Sequence, residues 1–61
     1  WDHLVGETGM TTTPLVPAGK IRIGHKLIDV VSDGDMIEKG MAVYVAEVKG
    51  NRVVVRPLES P

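Results

Sequence analysis

Four groups of residues in this 61-residue chain have types that could do chemistry: two serines, two histidines, an acidic turn and a set of cations. Ser32 lies in a turn-forming run and Ser60 is one residue from the C-terminus. Neither sits in a Gly-x-Ser-x-Gly elbow, the strand-to-helix turn that exposes a nucleophile, so a catalytic serine is not expected. His3 and His25 lack a ligand-spaced partner, and a zinc site of the usual three or four ligands is not expected either. Asp33-Gly34-Asp35 with Glu38 invites comparison with a calcium loop. There the glycine falls too early, and Met36-Ile37 occupy positions that should supply oxygen. The chain is therefore read as having no catalytic residue, no bound cofactor and no metal. The remaining candidates are Lys20, Arg22, Arg52 and Arg56, two from each of two short segments, which could form a modest basic face for a partner.

A basic face alone does not make a nucleic-acid site. Binding single strands takes a positive groove with aromatic platforms, and the only aromatics here are Trp1 and Tyr44. The formal net charge is −1, so the chain as a whole exerts no pull on nucleic acid or anionic lipid. A nucleic-acid module stays as the alternative reading, and the main expectation is no nucleic acid. The longest apolar runs are a few residues, far short of the roughly 20 needed to span a bilayer as a helix. The chain opens on Trp1 rather than Met, and it is read as a piece of a longer protein.

So small a domain, residues 1–61, buries only about 60% of the surface its unfolded chain exposes. With no cysteine there is no disulfide to help, and the core must come from efficient packing of aliphatics. Valine and isoleucine dominate, which favours strands. The segment from Leu4 to Thr13, with Gly6, Gly9 and three threonines, reads as a strand bent at its glycines. Pro14 and Pro17 end it, with Leu15-Val16 extended between them. Lys20-Ile21-Arg22-Ile23 alternates polar and apolar, the period of a half-buried strand, with Ile21 and Ile23 inward.

Gly24-His25 reads as a hairpin turn into Lys26 to Val31, where Ile28 and Val30 face the core because Asp29 on the other face would be costly inside. Ser32 to Asp35 is a turn. Met36 to Lys39 is expected to form one capped helical turn closed by Gly40. Met41 to Lys49 places Val43 and Val45 inward, with a bulge at Ala46 to Val48. Gly50-Asn51 is a two-residue hairpin into Arg52 to Arg56, where Val53 and Val55 share a face. Five short antiparallel strands in about 60 residues point to an all-β Greek-key barrel of the OB type, with an SH3-like barrel as the nearest alternative.

Two resemblances follow from the motifs. The stretch from Val31 to Gly40 resembles the hammerhead half-barrel of lipoyl and biotinyl carrier domains, and Glu47 falls where their glutamate stands. Lys49 comes one position early and lacks a flanking methionine, so a carrier domain is only a further alternative. The second resemblance covers nearly the whole chain. Leu4-Val5-Gly6 with Gly9, Thr13-Pro14-Leu15, Pro17, Gly19 to Ile23, and Asp29 to Ser32 open an ordered set of short motifs. Ile37 to Gly40, Glu47-Val48 and Gly50 to Pro57 complete it. The ordered set resembles the C-terminal soluble domain of NfeD-type membrane proteins.

That resemblance implies a five-stranded OB-like barrel following transmembrane helices, with a serine protease domain before them in longer members. It implies association with stomatin-, prohibitin- or flotillin-type membrane proteins and with regulation of membrane proteolysis. With the missing catalytic groups, this makes the chain a non-catalytic interaction module, and the isolated domain is expected to be a monomer. It implies membrane anchoring through helices N-terminal to the chain, with this domain in the aqueous phase on the cytoplasmic side. The protease residues of the family belong to a separate domain, so none is carried onto this chain.

Overall fold

A computed structural model describes residues 2–34 and 36–58. Alternation decides the strands. In β2 (Ala18–Ile23) Ile21 is fully buried while Lys20 and Arg22 are exposed. In β3 (Lys26–Ser32) Val30 is buried, Ile28 packs half-buried against the core, and Asp29 is exposed. β4 (Ala42–Lys49) buries Val43 and Val45, and β5 (Arg52–Pro57) buries Val53 and Val55. Both hairpins open on glycine, Gly24 at φ 62° and Gly50 at φ 58°, and the residue after each glycine has negative φ. Positive φ at the first of two turn residues is the type II′ pattern, whose twist matches that of the flanking strands. The pairs Ile23↔Lys26 and Lys49↔Arg52 close the two loops. The bulge expected in β4 is present: the register with β5 shifts between Val45 and Glu47.

β1 (Thr8–Thr11) pairs antiparallel with β2 on one side and β4 on the other, so the sheet closes in the order β1-β2-β3-β5-β4. Closure leaves no free outer strand, which is how a chain this short limits exposed sheet edge. The barrel is not wholly antiparallel as expected. β3 and β5 run parallel through Val31↔Val54 and Ser32↔Val55, because the chain crosses the barrel between β3 and β4 before the last hairpin returns beside β3.

Two local expectations need correction. The bent strand proposed from Leu4 to Thr13 is shorter: Asp2–Leu4 form a 3₁₀ turn, and only Thr8–Thr11 are strand. Leu4 is buried at the barrel end, and its carbonyl accepts from Glu7 N–H at 2.9 Å, so the chain turns before it extends. Ile23, expected inward, does pack against the core, half-buried like Ile28. Finally, no helical turn forms over Met36 to Lys39. Ile37 instead makes an isolated antiparallel bridge with Leu15, donating at 3.1 Å and accepting at 2.8 Å, and both side chains are buried. The apolar demand of Ile37 outweighs the cap, since a helical turn would surrender two backbone bonds to Leu15. Ser32 and Asp33, the expected caps, therefore cap no helix: Ser32 ends β3, and the Asp33 carboxylate lies 3.0 Å from Arg56 Nε.

Ser32 is 6% exposed and, among the described residues, its Oγ has no hydrogen-bond partner. A buried hydroxyl without a partner is a desolvation cost with no return. Ser32→Ala is therefore expected to leave stability unchanged or raise it by up to about 1 kcal/mol, read by urea unfolding. A loss of that size instead would mean that the hydroxyl is satisfied.

Candidate functional site

The four cations are dispersed by the strand register. Lys20 stands opposite Asp29 across β2 and β3, and its Nζ lies 2.8 Å from Asp29 Oδ1. Both groups are largely exposed, so the pair is worth less than about 1 kcal/mol. Its consequence is local: the charge of Lys20 is neutralised. Arg56 is similarly tied, its Nε 3.0 Å from Asp33 Oδ2, and it faces Tyr44 on β4. Arg22 lies between Met10 of β1 and Leu27 of β3, both more than half exposed. Arg52 opens β5 opposite Lys49, and among the described residues no carboxylate pairs with it.

Lys20 and Arg52 meet at one groove. It lies on the outer wall where β2, β3 and the start of β5 come together, and holds about 530 Å³. Ala18, Val30, Val31 and Val53 give it an apolar floor, and Lys20, Asp29, Asn51 and Arg52 line it with polar groups. The volume falls within the roughly 300–1,000 Å³ usual for binding clefts. Arg22 and Arg56 do not line it. The apolar contribution of Val31 and Val53 was not read from the sequence. Alternation put Val31 on the outer face, but only the β3–β5 register sets it beside a groove.

A second open groove of about 590 Å³ is bordered by Pro14, Val16, Met36, Glu38 and Lys39 at one end of the barrel. The other candidates stand apart. His3 is at the N-terminal turn and His25 in the β2–β3 hairpin, both exposed, and Ser32 faces the interior. Lys49, the residue nearest the carrier pattern, lies 3.4 Å from Glu47 at the β4–β5 hairpin. Among the described residues no three metal-ligating groups cluster, and no helix is long and apolar enough to cross a membrane. Trp1 and Ser60 lie outside the described residues. What the groove offers chemically is recognition: a fixed apolar floor, one guanidinium with no carboxylate partner among the described residues, and one ion pair on rigid strands.

Comparison with known proteins bears on the family and the fold. Residues 2–57 match the family model of the NfeD-like C-terminal, partner-binding domain. The membrane protein NfeD1b of Bacillus subtilis (strain 168) is 46% identical over 55 residues, which are 90% of this chain. The chain spans only 13% of that relative's length. Among solved structures, the C-terminal domain of stomatin operon partner protein 1510-C from Pyrococcus horikoshii superposes with a TM-score of 0.88 at 27% identity. The match covers 95% of this chain and 92% of that one.

Proposed function

The chain belongs to the family of NfeD-like C-terminal, partner-binding domains, and from that we propose that it is the docking module of a membrane-anchored protein, engaging a stomatin- or flotillin-type membrane protein. The observation that carries the reading is the open groove, with its apolar floor and, at its rim, Arg52, which no described carboxylate answers. Recognition suits such a surface, because strand-borne residues are placed before the partner arrives and little ordering entropy is lost on binding. The name of the Pyrococcus horikoshii relative, a stomatin operon partner protein, supplies the class of partner. The Bacillus subtilis relative is a membrane protein, which supports anchoring of the whole protein. The domain then faces the cytoplasm and influences membrane proteolysis by bringing its partner to the anchor.

Size sets how the docking works. A usual interface takes about 800 Å² from each partner, close to a fifth of this domain's 4290 Å² surface. Of the two larger grooves, this one is built mainly on strands and the other on connecting segments, so contact is expected to centre on the strand-borne groove. The full-length protein, solubilised from membranes in mild detergent and affinity-purified, is expected to retain a stomatin- or flotillin-type protein. The same protein without these 61 residues is expected to lose it. Retention by the truncated form, or recovery of no such protein by the intact form, would overturn the reading.

A further inference from the structure

Pairing of β3 with β5 is confined to Val31↔Val54 and Ser32↔Val55. Nearer the β2–β3 hairpin, Lys26 to Val30 pair with β2 on one side and with no strand among the described residues on the other. Arg52 and Val53 pair with β4 only. The barrel wall is therefore open along this seam, although its strand order closes. Two grooves lie along the opening and share Asp29, Asn51 and Val53: the one of about 530 Å³ described above and a smaller one of about 210 Å³ that reaches Leu27 and Ile28.

Presupposing the docking role, we propose that the seam takes an extended peptide segment of the partner, which adds as a strand to the free edge of β3 and sets a carboxylate on Arg52. Three observations select this occupant. The backbone groups of Lys26 to Val30 that face the seam have no ladder partner, and an unpaired edge is a template for another strand. The floor beside that edge is aliphatic, with exposed Ala18 and half-buried Val31 over the buried Val30 and Val53, and suits the small apolar side chains that alternate along a strand. The charge at the rim is unbalanced, because Asp29 answers Lys20 at 2.8 Å while no described carboxylate answers Arg52. That leaves a guanidinium for an acidic side chain of the peptide, and such a charge-assisted pair is about twice as strong as a neutral hydrogen bond. Strand addition also gains affinity from main-chain bonds rather than from area, which a domain this small can supply.

The test is an amide-shift titration of the 15N-labelled 61-residue chain at low salt. The probes are a capped pentapeptide of alternating valine and glutamate, its valine-lysine counterpart, and a valine-glutamate analogue N-methylated at alternate residues. The glutamate peptide is expected to bind saturably, with shifts concentrated at Leu27 to Val30 and Asn51 to Val53. The N-methylated analogue is expected to bind about tenfold or more weakly, having lost main-chain donors. Arg52→Glu is expected to weaken the glutamate peptide about tenfold and to favour the lysine peptide. The variant places Glu opposite Lys49, so the hairpin keeps a compatible pair and the fold is retained, which its own amide spectrum checks. Equal binding of the N-methylated analogue, shifts centred elsewhere, self-association through the seam, or no saturable binding would overturn the proposal. If the intact partner binds wild type and Arg52→Glu equally, the seam falls and docking stands. If it binds neither, both fall.

Discussion

Gly9→Ala is expected to lower the melting temperature by about 10 °C or more and to leave part of the protein unfolded at 37 °C. A Cβ built at Gly9 would run into the Arg22 carbonyl oxygen and lie 2.9 Å from Ile23 Cγ1. The first contact is backbone, so no rotamer change relieves it. β1 must move away from β2, and because Gly9 also pairs with Val43 on β4, the strain reaches both ladders that close the barrel. Overpacking of this kind costs about 1–3 kcal/mol, sometimes more. A domain of this length has roughly 3–9 kcal/mol in total at 0.05–0.15 kcal/mol per residue. One methyl group therefore removes a large share of the whole. Thermal unfolding by circular dichroism reads the effect, and an unchanged midpoint would mean that β1 does not approach β2 as closely as described.

Thr11→Val should come next in severity, at about 2–4 kcal/mol from two stranded groups. Thr11 is 2% exposed and holds the crossing between β3 and β4 in place. Its hydroxyl donates to the Glu38 carbonyl at 2.7 Å and accepts from Met41 N–H at 2.9 Å. Its backbone adds two bonds: Thr11 N–H to the Met41 carbonyl, and Gly40 N–H to the Thr11 carbonyl, both at 2.9 Å. Valine keeps the shape and the backbone bonds but leaves a donor and an acceptor unpaired near the core. Thr11→Ser keeps the hydroxyl and loses one methyl, so it is expected to cost about 1 kcal/mol. Urea unfolding of the pair separates the two effects. Equal losses for valine and serine would show that the methyl, not the hydroxyl, holds the crossing.

The parts legible in the sequence are those governed by neighbours. Ile21 between Lys20 and Arg22, and Val43, Val45, Val53 and Val55 at alternate positions, declare their faces because a strand repeats every two residues. Gly24-His25 and Gly50-Asn51 declare their hairpins because only a few residue pairs suit a two-residue turn. The Leu15–Ile37 bridge left no such trace. Each lies in an apolar pair too short to show a period, Leu15-Val16 and Met36-Ile37, and their partnership spans 22 positions that only the closed barrel brings together. Thr11 looked like one of three similar threonines until the crossing folded over it. The parallel β3–β5 contact is likewise a product of closure rather than of any local pattern.

The candidate surface follows the same division. That Lys20, Arg22, Arg52 and Arg56 are exposed was readable from alternation. Which of them retain an unanswered charge depends on register: Asp29 falls opposite Lys20 and Asp33 reaches Arg56, while among the described residues no carboxylate answers Arg22 or Arg52, of which only Arg52 stands at the seam. Family motifs spread over nearly the whole chain carried the assignment where single residues could not, and the match over residues 2–57 bears it out.

The central claim is that this barrel is itself the unit that docks, and a direct titration tests it. The 61-residue chain would be titrated calorimetrically into a purified stomatin-type protein from the same organism, held in detergent micelles, with empty micelles and single-stranded DNA as controls. Saturable binding to the stomatin-type protein, and to neither control, is the predicted result. Binding to DNA in its place, or heat indistinguishable from the empty micelles, would contradict the account.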